Sequence, residues 1–515
     1  MAKTRLIDDC SSNWSTRRAR EVFTRSADAT LTRLMTRLAR AVGLVQCSMP
    51  ILEKQFRQRD GWMLVTCLGL GTIGAFYAGL VLRGLFADGA DSLLRMMQYH
   101  SFYYQEPSRI TIIILQEAPT LAAIGLGIGD LHVVAQIFSV CLNVLPLLGI
   151  GLCFFMLPAD RKEYFLLPAF AAFGGMYCAL YGVVSEALLA TAYFWVLFYL
   201  ILFGHESLRW RVLIMALAIP TLEMDEVMVF LAPLLTLASL WRRHTAVGAW
   251  NRTTLLLLAP WFTAVAIQAA FEVLYPYSVS NRDAFIEGMM HLRWLGNPHS
   301  WVNGPAFLML CAGAAILSSI LRPAWSNLLL GAFAVVAFQV GAGAFVTDKF
   351  ISPAAQFSSR YIAALLSFPL GLAALASLRW PRLVRYWATS PTLAIVLILG
   401  AAGAAWNVAA ARDWVRFTDT FRAALARHEG LVPWDTVLGE LSQDDAARFK
   451  RMNWLWTSPE LSIVLSPGGN VRTMINDPAS RAWQPFNPAV AAELPSSSLY
   501  STREYRATLE RAKIQ

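Results

Sequence analysis

The chain has 515 residues, of which 56% are hydrophobic and only 15% charged, and it carries a formal net charge of +9. A water-soluble enzyme of that length needs far more polar surface, so most of this chain is expected to face lipid. The basic residues flank apolar runs instead of gathering in one soluble patch with stacking aromatics, which argues against a nucleic-acid partner.

The mean hydropathy of +0.47 is averaged over a charged head and a polar tail, so the middle is more apolar still. Its apolar runs are continuous over roughly 20 residues, with no sustained strand-period alternation, and that is the helical solution to crossing a bilayer. The fold class predicted is an all-α polytopic membrane protein. The seven cysteines, Cys10, Cys47, Cys67, Cys141, Cys153, Cys178 and Cys311, show neither CxxC nor Cys/His metal spacing, so no disulfide framework and no metal site are expected.

Residues 1 to 60 are dense in arginine, from Arg17, Arg18 and Arg20 to Arg57 and Arg59, with no apolar core before Trp62. No signal peptide is predicted, and this segment is expected to stay in the cytoplasm. Between Ala27 and Leu52 the residues Leu31, Leu34, Met35, Leu38 and Val42 recur at helical spacing among arginines. The pattern suits an amphipathic helix on an anionic membrane surface, or a solvated anchor that fixes topology.

About eleven spans follow, at 62–84, 132–156, 164–183, 185–203, 209–221, 227–241, 253–275, 304–321, 326–346, 361–378 and 390–410. Alternating the connections puts Arg161 with Lys162, Arg209 with Arg211, Arg242 with Arg243 and Arg252, Arg322, and Arg379 with Arg382 and Arg385 on the side of the basic head. Residues 85–131 are too long for a hairpin connection. Pro107 and Pro119 break them and Gly125, Gly127 and Gly129 end them, so two interfacial helices fit better than one span, which would invert every later connection. The tail, 411–515, opens with the helical pattern Trp414, Phe417, Phe421, Leu425 and is expected to form a small module on the outer side. Its tryptophans Trp434, Trp454, Trp456 and Trp483 form a core or line a glycan platform.

Carboxylates beside a membrane are costly, so each is a candidate for function. Asp88 and Asp91 directly follow the first span in FADGADSLLRMMQYH, with Arg95 one helical turn after Asp91. Both acids also suit plain capping at a DG turn and a DS helix start. An acid just after the first span, two membrane-lying helices that include RITIIILQEAPTLAAIGLGIGD, a many-span bundle and an outer C-terminal module together resemble the GT-C class of polyprenyl-phosphate-dependent glycosyltransferases. Protein mannosyltransferases, aminoarabinose lipid A transferases and oligosaccharyltransferases belong to that class. The resemblance covers about the first two hundred residues and is architectural. It implies that a first-loop acid acts as base on the acceptor hydroxyl, here Asp91 before Asp88, with Asp91 beginning a helix as N-cap. It also implies that cations hold the phosphate that leaves. No cofactor is needed where Lys and Arg do this, although some members use a divalent cation.

Further substrate-contact candidates are Arg95 and Arg109 in the first loop, Glu186, and the group Glu223, Asp225 and Glu226, unless these acids are simply solvated. The connection 276–303 offers His291 and Arg293 among aromatics, suited to sugar and phosphate or to an amphipathic loop helix. Lys349 and Arg360 stand at the outer ends of spans, as contacts for the leaving polyprenyl phosphate or as snorkelling anchors. The function expected is transfer of a sugar from a polyprenyl-phosphate donor to a lipid, glycan or protein acceptor at the outer face of a bacterial inner membrane, with membrane lipids as the other partners. A transporter or lipid flippase and a non-catalytic subunit are the competing readings. A transporter predicts internal repeats and mid-membrane charges, which are not apparent here.

Overall fold

The computed structural model describes residues 58–86, 88–103, 109–176, 186–275, 321–346, 353–452, 457–466 and 473–476, with four further positions between 313 and 318. The amphipathic helix expected in the head, the span at 304–321 apart from those four positions and its last residue, and residues 177–183 of the span at 164–183 lie outside the described residues. So do Trp454, Trp456 and Trp483.

The described chain is mostly helical. Five helices are long and apolar enough to cross a membrane, and they coincide with predicted spans. They are α1 (Gln58–Leu80), α4 (Leu131–Met156), α6 (Glu186–Phe203), α9 (Ala249–Leu274) and α13 (Ser390–Arg427). Between them lie α2 (Gly89–Tyr99), α3 (Ile110–Gly125), α5 (Leu166–Ala171), α7 (Leu208–Ala218), α8 (Met228–Thr245), α10 (Pro323–Val346), α11 (Pro353–Arg379) and α12 (Val384–Trp387). The two helices of the first loop are therefore present as α2 and α3. At 16 residues, about 24 Å, α3 is short of the ~20 residues a crossing needs.

The centre of the bundle is α6. It is apolar all round and buried along nearly its whole length, as a helix surrounded by others must be. Its aromatic residues pack on one another, mostly edge-to-face, and each polar atom they bring has a partner. The Trp195 indole donates to Ser367 Oγ at 2.9 Å and the Tyr199 hydroxyl to the Tyr164 carbonyl at 2.6 Å. Against this centre pack α4, α8 and α11. At the end of α1, glycines allow backbone to approach backbone. A Cβ on Gly79 would meet Val140 Cα at 2.6 Å, and one on Gly84 would meet Ser139 Cα at 2.6 Å.

Helix starts are capped as their sequences dictate. Asp130 accepts the amides of His132 and Val133 to open α4, and Ser207 accepts the Trp210 amide to open α7. The span predicted at 209–221 is α7 followed by a 3-10 turn, Ile219–Glu223. Together they rise about 26 Å. That suffices to return the chain to the end where α6 begins.

The predicted tail helix is not a separate element. It continues the last span without a break, so the boundary drawn at 410/411 falls inside the 38-residue α13. Trp414, Phe417 and Phe421 on this extension form a second core with Phe449 and Trp434, whose rings stack at 4.6 Å. Trp434 is thus a core residue. The module is completed by β1 (Gly430–Pro433), α14 (Trp434–Glu440), α15 (Gln443–Met452), α16 (Ser458–Leu465) and β2 (Thr473–Asn476), with the two strands paired in parallel. The same core takes in Leu82, Leu85 and Phe86, together with Ala90, Leu93 and Met96 of α2. The module and the first loop are therefore one packed body at one end of the bundle. Trp414 joins them directly: its indole donates to the Val81 carbonyl at 3.1 Å and its ring meets Phe86 edge-on at 6.0 Å. Trp414→Ala is expected to cost about 3–5 kcal/mol, and Trp414→Phe less, in denaturant unfolding of the detergent-solubilised chain. An effect under 1 kcal/mol for the alanine variant would contradict this packing.

Candidate functional site

Leaving α1, the chain turns through Leu82, a buried residue held in the left-handed region at φ 64°. That conformation is strained for leucine and persists because the surrounding core fixes it. The turn aims Arg83–Leu85 into the bundle end, where the Arg83 guanidinium lies 4.3 Å from the centre of the Phe86 ring and 5.4 Å from that of Trp414. Burial lowers the pKa of Arg83 to about 9.

Asp88, not Asp91, holds the N-cap position of α2, and its side chain makes no capping hydrogen bond. The expectation that Asp91 caps the helix is therefore corrected. Asp91 sits in the first turn on the buried face, 2% exposed, because α2 turns Ala90, Leu93 and Met96 to the same core. Its Oδ1 accepts from Arg95 Nε at 2.7 Å, one turn along. Desolvation raises the Asp91 pKa from its ordinary value, against the charge and hydrogen bond of Arg95 and a hydrogen bond from Tyr103. The Arg95 guanidinium lies 4.6 Å from the Tyr103 ring centre.

Tyr103 leads to an acid that the sequence reading left out of the site. Its amide donates to Glu117 Oε2 at 2.9 Å. Glu117 is only 5% exposed, on the face of α3 that also buries Ile113, Gln116 and Thr120. Burial pushes its pKa up to about 8 against the Tyr103 hydrogen bond, and the charge of Glu186 raises it further. A carboxyl with that pKa favours its protonated form at neutral pH. The available signal was one carboxylate inside an apolar helix, in LQEAP. Tyr103 gave no signal, since its pairing lies across the loop.

Glu186 connects this group to a second one. It opens α6, where a carboxylate complements the helix dipole. Arg109, at the start of α3, reaches Glu186 at 3.7 Å and holds Glu226, just ahead of α8, through three contacts of 3.0 to 3.2 Å. Asp225 is buried and accepts the Val227 amide at 2.9 Å. Desolvation first, then Glu226, raises the Asp225 pKa, against Arg109. Glu223 is exposed at the end of its 3-10 turn, and with Glu226 its charge acts on the half-buried Glu272 of α9.

Of the residues expected in the site, the structure thus gathers Asp91, Arg95, Arg109, Glu186, Asp225 and Glu226 at one end of the bundle. Arg109, expected as a substrate contact, has its guanidinium engaged by two carboxylates, Glu226 and Glu186. His291, Arg293 and Lys349 lie outside the described residues. Arg360 lies within α11, its side chain outside the description. A second acid missed by sequence is Glu460, buried in α16, which packs against α2. Among the described residues no group of three or more His, Cys, Asp or Glu is disposed to hold a metal ion, and Arg109 and backbone amides already take up the carboxylates nearest one another. No family model, curated protein or solved structure matches the chain.

Removing one partner of a buried ion pair strands the other, so Arg109→Met is expected to destabilise by about 3–5 kcal/mol. Adding Glu226→Gln to it should recover part of that loss in chemical unfolding, and an additive double variant would rule out the clamp. Glu117 supplies a pH test. Its folded pKa lies above the ordinary glutamate value, so the unfolded state ionises first and this group makes the fold lose stability as pH rises from about 4.5 to about 8. Glu117→Gln keeps the acceptor for Tyr103 and is expected to raise the unfolding temperature at pH 7 but not at pH 4, while an equal effect at both pH values would contradict the assignment.

Proposed function

We propose that this chain is a membrane glycosyltransferase of GT-C type, moving a sugar from a polyprenyl-phosphate donor to a lipid, glycan or protein acceptor at the outer face of a bacterial inner membrane. The N-terminus lies in the cytoplasm, and the acid-bearing end with the C-terminal module lies outside. One observation carries this reading: the acid-bearing turn after the first span, the two helices of the first loop and the C-terminal module pack as a single body, at the end where the carboxylates converge. The arginine clusters support the orientation. Helix α8 starts beside Asp225 and Glu226 and ends at Arg242 and Arg243, so acidic and basic ends are separated by a helix length, and the basic end belongs inside.

In the proposed reaction the acceptor hydroxyl attacks the anomeric carbon as the bond to the polyprenyl phosphate breaks. The proton passes to a carboxylate, and the electron pair leaves with the phosphate. Asp91 is the proposed base, since burial makes it a better proton acceptor than a solvated aspartate. Arg95, part-exposed beside it, is the proposed cation for phosphate oxygens. Glu117, protonated at neutral pH, adds a hydrogen-bond donor to the same site. No metal ion is part of this scheme.

The test is complementation of a strain deleted for the chain, with Asp91→Asn and Asp88→Asn introduced separately at equal expression. Loss of about 10²-fold or more of the surface glycan product is expected for Asp91→Asn, the usual scale for removing a general base. Unchanged glycan in both variants would remove the enzymatic reading.

A further inference from the structure

The proposed reaction uses Asp91, Arg95 and Glu117, and one residue outside that set touches all three. Helix α2 ends at Tyr99, and His100 closes it in the left-handed region at φ 50°, its amide donating to the Met96 carbonyl at 2.9 Å. Asp91 lies eight residues, about 12 Å, before that end. The chain after His100 runs back alongside the helix, which returns Tyr103 to the level of Arg95 and Asp91.

Three different parts of Tyr103 are then engaged. Its phenol donates a hydrogen bond to the Asp91 carboxylate, which also accepts from Arg95 Nε at 2.7 Å. Its ring lies 4.6 Å from the Arg95 guanidinium carbon, and an aromatic face attracts that cation. Its amide donates to Glu117 Oε2 at 2.9 Å. Each contact has its own consequence. Two donors, one charged and one neutral, fix the direction of the Asp91 carboxylate and favour its ionised form. The ring keeps a long, flexible arginine side chain beside the acid it serves. The last contact belongs to the main chain, so it anchors residue 103 on α3 whatever side chain stands there. A loop that only had to be closed would need the amide and nothing more.

We infer that Tyr103 is the positioning residue of this site: anchored on Glu117 through its main chain, it orients the Asp91 carboxylate with its hydroxyl and the Arg95 guanidinium with its ring. The inference rests on the reaction proposed above. Tyr103→Phe removes the hydroxyl and keeps ring and amide, and Tyr103→Leu removes the ring as well. Two readouts are taken on the full chain. One is the infrared carboxyl band of Asp91 in the reconstituted protein, identified with Asp91→Asn. The other is surface glycan in the deletion strain, complemented at equal expression and measured across external pH. Tyr103→Phe is expected to raise the midpoint of Asp91 ionisation by about one pH unit, because a hydrogen bond that favours the ionised form is lost. The acidic limb of the glycan profile should move with it, about a ten-fold loss below both midpoints. The Glu117 band should stay in place. Tyr103→Leu should show the same shift and also lose about ten-fold of the glycan at every pH, through a misplaced Arg95. An Asp91 midpoint unmoved in Tyr103→Phe would overturn the inference, and so would glycan that falls equally at every pH in that variant. If Asp91→Asn abolishes glycan while Tyr103→Phe shifts nothing, the reaction stands and this role for Tyr103 falls. If Asp91→Asn leaves glycan unchanged, both fall.

Discussion

A single guanidinium holds the acid-bearing end together. Arg109 opens α3 and reaches the carboxylates that open α6 and precede α8, so the starts of three helices meet at one cation. Each of those starts concentrates unpaired amides and positive dipole, which favours the carboxylates placed there. The arrangement in turn requires the chain to come back to the same end after α6, and α7 with its 3-10 turn is the return. Once the three starts are fixed, the buried face of α3 is fixed too, and Glu117 with it. The site follows from the clamp.

The second constraint is the continuity of α13. Because the last span runs on past the bundle without a break, the C-terminal module is carried by a rigid rod. It docks on the first loop through Trp414, Phe417 and Phe421. The acid-bearing turn is thereby held from two sides, by the bundle through Arg109 and by the module through Trp414. Burial on both sides removes water from Asp91 and Glu117, and this is the physical origin of their raised proton affinity.

Much of the architecture was legible in the sequence, since a bilayer imposes continuous apolar runs that local composition records. The five long apolar helices fall on predicted spans, and the punctuation by proline and glycine announced α2 and α3. The acidic candidates Asp91, Glu186, Asp225 and Glu226 were legible for the same reason, as charge placed at costly positions. What escaped was pairing at long range. Arg109 and Glu226 are 117 residues apart, and nothing local distinguishes an arginine that binds a phosphate from one that binds a distant glutamate. Glu117 escaped because its partner Tyr103 lies across a loop. Asp91 was misplaced by three residues at a helix start, where a preceding acid in DGAD competes for the cap position.

The claim that the two carboxylate groups form one site rests on Glu117 and Glu186 sensing each other. Infrared spectroscopy of the reconstituted chain, with Glu117→Gln identifying the band, measures this directly. A protonated carboxyl band from Glu117 should persist at pH 7 and fade near pH 8, and Glu186→Gln should move that transition to lower pH. A Glu117 already ionised at pH 7, or one whose titration ignores Glu186, would contradict the account.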